Sequence, residues 1–372
     1  MKIMLWTPLF LPDIGGIETL MARLMPELTR RGHQLVLVTS HGAHPLPEVT
    51  FHDGVPVHRF HFRSAVRKEN LTQLLSILRQ VSALKANFQP DLVHLHVSDP
   101  SGFFHLKTMK AHPCPTLISF HNTRKRFSSS GSNTILAELL AAGDWFTVVS
   151  RENLASWIED YPGLAGRLSV VHNGVEIPDL EPSPLPFNPP HLLCLGRLVS
   201  QKRFDLAIQA LEILHAEYPT LSLTICGEGP LKANLEAQIE ALGLREWVRL
   251  RDAIPFQQVP EMINDSTMLV MPSEYEGLPM TAIEAASMAR PLVATAVGGN
   301  PEVVLHEQSG LIVPPDNASA LANSITRLLE HPDLARSMGQ AGRRHVQENF
   351  SLERTASAYE GIYQRLVNNY EH

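Results

Sequence analysis

Two glutamates separated by seven residues, Glu276 and Glu284, bracket a Gly277-Leu278-Pro279 turn and the start of a helix-spaced apolar run, Met280–Met288. A helix that begins at such a turn presents unpaired N–H groups and the positive end of its dipole, which suits a phosphate. Gly277 lets the backbone come close to a ligand. Two carboxylates cannot themselves hold a diphosphate, because they would repel it. Their fitting partners are hydroxyls, such as those of a ribose and a sugar. The cations stand elsewhere, in Gly196-Arg197-Leu198-Val199-Ser200-Gln201-Lys202. Arginine grips two phosphate oxygens in a fork, and lysine acts as a movable point charge. A third segment, Pro8–Glu18, carries Gly15-Gly16, a backbone loop able to approach the same group. Taken singly, each feature reads as a solvated turn or a plain loop. Their joint occurrence, each at a strand-to-helix junction, points to a site for a nucleoside diphosphate bearing a sugar.

Competing phosphate motifs are missing. The sequence has no Gly-Lys-Ser/Thr P-loop and no complete Gly-x-Gly-x-x-Gly, of which Gly227-Glu228-Gly229 offers only the first part. The second absence disfavours an NAD-dependent oxidoreductase. No Asp-x-Asp occurs, so the carboxylate pair that often holds a metal-bound nucleotide diphosphate is lacking.

Such loops need a parallel sheet to hold them. The periodicity predicts strands at Ile3–Trp6, Gln34–Thr39, Asp91–His96, Thr116–Phe120 and Thr147–Val149, with helices at Ile17–Arg31 and Leu71–Phe88. Six prolines within residues 178–190 cannot continue a helix or a central strand. The pattern restarts after them, with strands Leu192–Leu195, Leu221–Cys226, Trp247–Leu250, Thr267–Met271 and Leu292–Ala294, and helices Phe204–His215 and Leu231–Leu242. The expected fold class is α/β: two Rossmann-like, doubly wound parallel-sheet domains facing a deep cleft. The expected boundaries are 1–180 for an N-terminal domain, 181–190 for a proline-rich linker and 191–351 for a C-terminal domain.

Composition fits this reading. The 372 residues exceed what one core usually serves, and the fractions of 44% hydrophobic and 19% charged residues are those of a globular protein. No apolar run reaches membrane-spanning length, and Pro8 and Pro12 interrupt the apolar start, against a secretion signal. The three cysteines, Cys114, Cys194 and Cys226, are widely spaced and fit reduced core thiols of a cytoplasmic protein. The net charge of -7 argues against a nucleic-acid partner. Residues 1–178 hold 17 basic and 14 acidic residues (+3), which leaves 31-17=14 basic and 38-14=24 acidic residues (-10) for the rest. The two halves are thus suited to different partners.

The sequence resembles the retaining family 4 glycosyltransferases of the GT-B fold over nearly its whole length. The most specific part is Glu276 and Glu284 at their spacing, with Pro272-Ser273 before and Pro291-Leu292-Val293-Ala294-Thr295 after. Supporting pieces are Gly298–Val304, Gly310–Asp316, Asn173-Gly174-Val175, Gly227-Glu228-Gly229-Pro230 and Arg31-Gly32-His33. The resemblance implies that Glu276 bonds hydroxyls of the donor hexose and Glu284 the ribose. It implies that Arg197 and Lys202 hold the diphosphate and that Gly277, Leu278 and Pro279 bring backbone N–H groups to sugar and phosphates. Gly16, or Gly15, would close on the diphosphate from the N-terminal domain. His121, in Ser119-Phe120-His121-Asn122, matches the family's active-site histidine. The segment Leu352–Tyr370, within 352–372, would return to the N-terminal domain.

The activity implied by the resemblance is transfer of a hexose-type sugar from a nucleoside-diphosphate sugar, UDP ahead of GDP, to a hydroxyl of a glycan, lipid-linked or small-molecule acceptor. No metal ion or other cofactor is expected. A front-face path, in which the leaving phosphate takes the acceptor proton, is the family's favoured account. Rival readings are another GT-B enzyme, such as a nucleotide-sugar epimerase, hydrolase or phosphorylase, and a non-catalytic nucleotide-sugar-binding protein. His94 and His96 share one strand face and read as cleft-wall or core residues rather than metal ligands. Arg59, Arg63, Arg67, Lys68, Arg124, Lys125 and Arg126 form a candidate basic patch for a phosphorylated acceptor or for peripheral contact with the inner face of a membrane. Two positions depart from the family pattern: Ala289, and Asp252 near the expected base site, each standing where glycine is frequent.

Overall fold

In the computed structural model, residues 1–13, 15–67, 71–97, 101–121 and 133–370 are described, apart from the side chains at 67, 133 and 134. The chain forms two compact units, Met1–Gly174 with Leu352–His372, and Val175–Ser351.

The first unit contains strands β1 (Lys2–Trp6), β2 (Gln34–Ser40), β3 (Val49–His52), β4 (Val55–Phe60), β5 (Leu92–Val97), β6 (Thr116–Phe120), β7 (Trp145–Val148) and β8 (Leu168–Val170). Its helices are α1 (Gly16–Arg30), α2 (Phe62–Arg67), α3 (Leu71–Phe88), α4 (Ser101–Thr108), α5 (Asn133–Ala142) and α6 (Arg151–Asp160). The strands form one sheet in the order β3-β4-β2-β1-β5-β6-β7-β8, parallel except where β3 pairs antiparallel with β4. The strand period of two sorts β1 across the sheet. Ile3 and Leu5 pack with Leu20, Leu24 and Leu28 of α1, while Met4 and Trp6 pack with Ile77, Val81 and Phe104 on the other face. Helix α1 runs through Pro26, whose missing N–H would orphan the carbonyl of Ala22. His52 Nε2 takes that carbonyl at 3.2 Å.

The hairpin β3–β4 adds to the expected strands. Its turn, Asp53-Gly54, has φ of 46° and 80°, the left-handed pair that matches the twist of paired strands. The sequence carries that Asp-Gly signal between Val49–His52 and Val55–Phe60.

The last helix of the chain belongs to this unit. Its residues Leu352, Ala356, Tyr359, Tyr363 and Leu366 join the core cluster of α1. Arg31 reaches Glu27 at 2.6 Å and Glu360 at 3.0 Å, and His33 Nε2 lies 3.0 Å from Glu360. The Arg31-Gly32-His33 motif therefore ties the end of α1 to that helix.

The second unit holds strands β9 (His191–Leu195), β10 (Ser222–Cys226), β11 (Val248–Arg251), β12 (Met268–Met271), β13 (Leu292–Thr295) and β14 (Gly310–Val313). Its helices are α7 (Phe204–His215), α8 (Lys232–Ala241), α9 (Val259–Asn264), α10 (Met280–Ser287), α11 (Asn300–Val303), α12 (Ala318–Glu330) and α13 (Pro332–Asn349), and the last helix of the chain, α14, is Leu352–Tyr370. All six strands are parallel, in the order β11-β10-β9-β12-β13-β14. The winding direction reverses between β9 and β12, the crevice where open α/β sheets bind ligands.

The compact units part between Gly174 and Val175, not at 180. The proline-rich segment 181–190 packs on the second unit. Leu185 enters its core, the Ser183 N–H donates to Asn264 Oδ1 at 2.9 Å, and the Pro186 carbonyl accepts from Thr267 Oγ1. Arg290, 1% exposed, donates to the carbonyls of Ser183 at 2.9 Å and Ile263 at 3.2 Å. Burial lowers its pKa to about 10.

Candidate functional site

In the second unit, the loops after β9 and β12 stand on either side of the switch point, and they are built to touch. Gly196 leaves β9 and leads into Arg197 and a short turn, Ser200–Lys202. That turn locks onto the loop after β12: the Glu274 N–H donates to the Gln201 carbonyl at 2.8 Å, and Gln201 Nε2 donates to the Tyr275 carbonyl at 2.9 Å. Lys202 Nζ then meets Glu276 Oε1 at 2.6 Å, and Ser273 Oγ donates to the same oxygen at 2.7 Å. Glu276 is buried and Lys202 nearly so.

Close backbone approach holds this arrangement from two sides. Gly298 sits at φ 53°, and a Cβ there would lie 1.8 Å from the Glu276 carbonyl oxygen. The next residue, Gly299, donates its N–H to the Gly277 carbonyl at 2.9 Å. On the other side, a Cβ on Gly227 would lie 1.8 Å from the Gly196 carbonyl oxygen, and the Leu198 N–H donates to the Glu228 carbonyl at 2.8 Å. Gly227-Glu228-Gly229, a weak phosphate signal by itself, thus buttresses the Arg197 loop.

The structure brings Arg197, Lys202, Glu276, Gly277, Leu278, Pro279 and Glu284 into one unit at one sheet edge. Pro279 is the N-cap of α10, Leu278 is buried beside it, and Glu284 is half-buried on the second turn. Arg197 is exposed, and its guanidinium has no partner among the described residues. The cations and the carboxylates, expected from the sequence to have separate partners, are joined: Lys202 and Glu276 hold each other across 74 positions. No local spacing signals that pair, nor the role of Ser273 and Gln201 in setting it. Arg197 and the α10 N-terminus are left as the uncompensated positive features, beside a carboxylate already fixed in place.

Asp252, the departure near the expected base site, pairs with Lys232 at 2.6 Å. Ala289, the other departure, is not innocuous. Its φ is 52°, a left-handed conformation that costs a residue with a Cβ roughly 1–2 kcal/mol.

In the first unit, Gly15 is the N-cap of α1 in an extended conformation, and Gly16 is its first helical residue. Ile14 lies outside the described residues. His121 directly follows β6, 9% exposed, with Nε2 2.7 Å from His96 Nδ1. His94 and His96 are core residues, fully buried. His94 Nδ1 meets Tyr363 Oη and its Nε2 meets Ser119 Oγ, both at 2.7 Å. Burial removes water from these rings and lowers their pKa, well below the usual range for His94 and His96 and to about 4 for His121.

Neutral rings impose a count. His96 and His121 carry two protons between them, and one lies in their mutual hydrogen bond. The other must be on His121 Nδ1 or on His96 Nε2, the two ring nitrogens that are buried without partners among the described residues. The pair is therefore one tautomeric unit: if His121 Nδ1 is a donor, His96 Nε2 is an acceptor, and the reverse. Among the described residues, no group of three or more His, Cys, Asp or Glu side chains could hold a metal ion.

A cavity of about 680 Å³ opens beyond the carboxyl ends of β2 and β4, lined by His41, His44, His61, Arg63 and Ser64. His41 and His61 stack with centroids 4.0 Å apart. Burial, the largest cause, and nearby His61 and Arg59 lower the His41 pKa. Arg59 does not belong to a surface patch. It is 6% exposed and donates to the Leu11 carbonyl at 3.0 Å and to Thr50 Oγ1. Lys68, Arg124, Lys125, Arg126 and the Arg67 side chain lie outside the described residues. No described helix is long and apolar enough to cross a membrane.

Comparison with known proteins identifies the family and the fold. Residues 178–345 match the model for glycosyl transferases group 1, and residues 14–179 match that for Glycosyltransferase Family 4. A glycogen synthase of Mycobacterium tuberculosis is 27% identical over 94% of this chain and 91% of its own. A sucrose-phosphate synthase from Thermosynechococcus elongatus superposes with a TM-score of 0.86, at 24% identity over 99% of both chains. An Anabaena protein solved in complex with UDP-glucose gives 0.83, at 18% identity over 98% of this chain and 100% of its own.

Proposed function

Since the chain belongs to glycosyltransferase family 4 and has the two-unit parallel-sheet fold of GT-B enzymes, we propose that it moves a hexose from a nucleoside-diphosphate sugar to a hydroxyl acceptor, with retention of anomeric configuration and without a bound metal ion. One observation carries the reading. Lys202 and the buried Glu276 are paired at the switch point of the second sheet, with the N-terminus of α10 and Arg197, which has no side-chain partner among the described residues, in the same loops.

Breaking the bond between sugar and phosphate builds negative charge on the departing diphosphate. Fixed cations and N–H dipoles aimed at that charge lower the barrier most where they need no rearrangement. Arg197 supplies a fork and α10 supplies its N-terminal N–H groups. Lys202 adds a point charge that Glu276 and the Gln201–Tyr275 contact hold in position. Glu276 is engaged with two donors through one oxygen, which suits a hydroxyl-orienting group rather than a general base. Glu284, one turn further along α10, is the ribose reader. His121 and Gly15-Gly16, in the first unit, carry the roles in transfer that the family resemblance implies for them.

UDP ranks ahead of GDP as the carrier, supported by the Anabaena neighbour with UDP-glucose. The His41–His61–Arg63 cavity, at the carboxyl edge of the first sheet, is the acceptor pocket, and Arg63 in its lining suits an acceptor bearing a phosphate or carboxylate. A thermal-shift screen with UDP-, GDP- and ADP-sugars tests the donor assignment, because a ligand that binds only the native state raises its melting temperature. A rise with one nucleotide class is expected. No rise with any of them, at concentrations that saturate known nucleotide-sugar sites, contradicts it. Donor consumption without an acceptor, at a rate that acceptors do not increase, points instead to hydrolysis or epimerisation.

A further inference from the structure

The opposite edge of the first sheet holds a second, smaller cavity that the transfer reaction does not use. It has a volume of about 150 Å³ and is lined by Lys85, His105, Lys110, His112, Cys114 and Thr116, among others. It lies where β6 begins, at Thr116, whereas His121 follows the other end of that strand. Five residues of strand separate the two, roughly 16 Å.

Its floor is a buried lysine. Lys85, in the last turn of α3, is 1% exposed. Among the described residues its ammonium has no carboxylate partner. It donates to His105 Nδ1 at 3.2 Å and lies 3.4 Å from the His105 carbonyl, and it sits 5.7 Å from the centre of the Trp6 ring. His105 Nε2 is 3.2 Å from Thr116 Oγ1. With Nδ1 accepting from the lysine, Nε2 carries the ring proton and donates to that hydroxyl, so His105 is neutral. An uncompensated ammonium in such a place costs several kcal/mol relative to an apolar side chain.

The mouth of the cavity adds a second ammonium, that of Lys110, and the imidazole of His112. Lys110 is exposed and His112 half-buried, and neither has a carboxylate partner among the described residues. The acidic groups that act on Cys114 from this edge, Asp144 and Asp91, are committed to backbone N–H groups: Asp144 to Thr116 and Asp91 to Lys2, each at 2.7 Å. Three basic side chains thus converge on a space with room for about five waters' worth of volume, whose walls also include the apolar Val93, Met109 and Pro113. Burial lowers the Lys85 pKa to about 8, which leaves most of the ammonium charged at neutral pH.

We propose that this cavity is a binding site for a small phosphate-type dianion, free or as a terminal monoester, gripped by Lys85 at the base and by Lys110 and His112 at the mouth. The anion supplies the countercharge that Lys85 lacks, and Thr116 Oγ1 offers its remaining hydrogen-bonding capacity. The site is separate from the diphosphate site of the second unit and does not depend on the transfer reaction.

Titration calorimetry with inorganic phosphate on the full chain tests it, using wild type, Lys85→Met, Lys110→Ala and Arg197→Ala. Saturable binding is expected for wild type, and Arg197→Ala, which can lose phosphate bound at the second unit's diphosphate site, should keep the Lys85 site at unchanged affinity. Lys110→Ala should bind several-fold more weakly and Lys85→Met at least tenfold more weakly, while Lys85→Met without phosphate melts at or above the wild-type temperature. Should Lys85→Met not fold, His112→Ala joins Lys110→Ala as the surface probe, and both must weaken binding. Glycerol 3-phosphate in a parallel titration assigns the source: tighter binding than phosphate identifies a monoester, weaker binding the free ion. No saturable binding by wild type, binding by Lys85→Met equal to wild type, or loss of all binding in Arg197→Ala overturns the proposal.

Discussion

Lowering the pH from 7 to 5 should unfold the first unit ahead of the second. Four histidines of the first unit, His94, His96, His105 and His121, are buried, and burial lowers the pKa of each, to about 4 for His121 and well below 6.5 for the others. The folded pKa lies below the unfolded one. Each ring's contribution is therefore fully present above pH 6.5 and is lost as pH falls, because the unfolded chain takes up protons that the folded chain refuses. For a ring that stays neutral in the folded state, the loss between pH 7 and pH 5 is roughly 2 kcal/mol. Four independent rings give about 8 kcal/mol. If the paired rings relieve one another, at least about 4 kcal/mol remains, against a typical domain stability of about 5–15 kcal/mol. For a unit of this size, about 4 kcal/mol corresponds to a fall in melting temperature of roughly 10 °C. In the second unit burial lowers the pKa of His191, but Asp265 opposes that shift. Calorimetric scans from pH 7.5 to 5 should resolve two transitions, with the first unit's moving down and the second's nearly stationary. Two transitions that fall together by only a degree or two would refute the reasoning from neutral buried rings.

Three substitutions probe other parts of the account. Ala289→Gly removes a left-handed penalty of roughly 1–2 kcal/mol and adds a chain-entropy cost of about 0.5–1 kcal/mol. The second unit should gain about 0.5–1 kcal/mol, seen as a rise of a few degrees in its transition. A loss of stability would show that the φ of 52° is not strained. Gly298→Ala drives a methyl group into the Glu276 carbonyl. It should abolish the nucleotide-sugar thermal shift while far-UV circular dichroism stays native, and a retained shift would separate the glycine from the site. His96→Leu leaves His121 Nε2 without a partner, whereas His96→Asn keeps a polar atom within reach. Transfer should fall mainly in kcat for the leucine variant and recover in part for asparagine, with the ring ¹⁵N shifts of His121 reporting the altered tautomer. Equal losses in both variants would reduce His96 to packing.

Much of this architecture is legible in the sequence because parallel strands buried on both faces leave continuous apolar runs. Thr116–Phe120, Leu71–Phe88 and Phe204–His215 match their expected limits. No strand or helix is expected from the sequence at 310–313 and 318–349, although β14, α12 and α13 lie there. The phosphate-facing loops are legible in a different way, since glycine and charge at strand ends have few other uses. Pairing at a distance is what a linear pattern cannot carry. Lys202 meets Glu276 only because β9 and β12 are neighbours in the sheet. Arg59 reads as surface charge because nothing nearby in the chain marks the Leu11 carbonyl as its acceptor. The prolines of 181–190 are rightly excluded from regular structure, yet Arg290, a hundred residues on, packs them against the second unit.

The central claim is that Arg197 and Lys202 hold the diphosphate of a sugar nucleotide. Titration calorimetry with UDP, on wild type and on the Arg197→Ala, Lys202→Ala double variant, tests it most directly, with circular dichroism to verify the fold. The account predicts saturable binding by wild type that weakens at least a hundredfold in the variant, the loss of two charge-assisted contacts of about 1.5–3 kcal/mol each. Equal affinity of both proteins for UDP would contradict it.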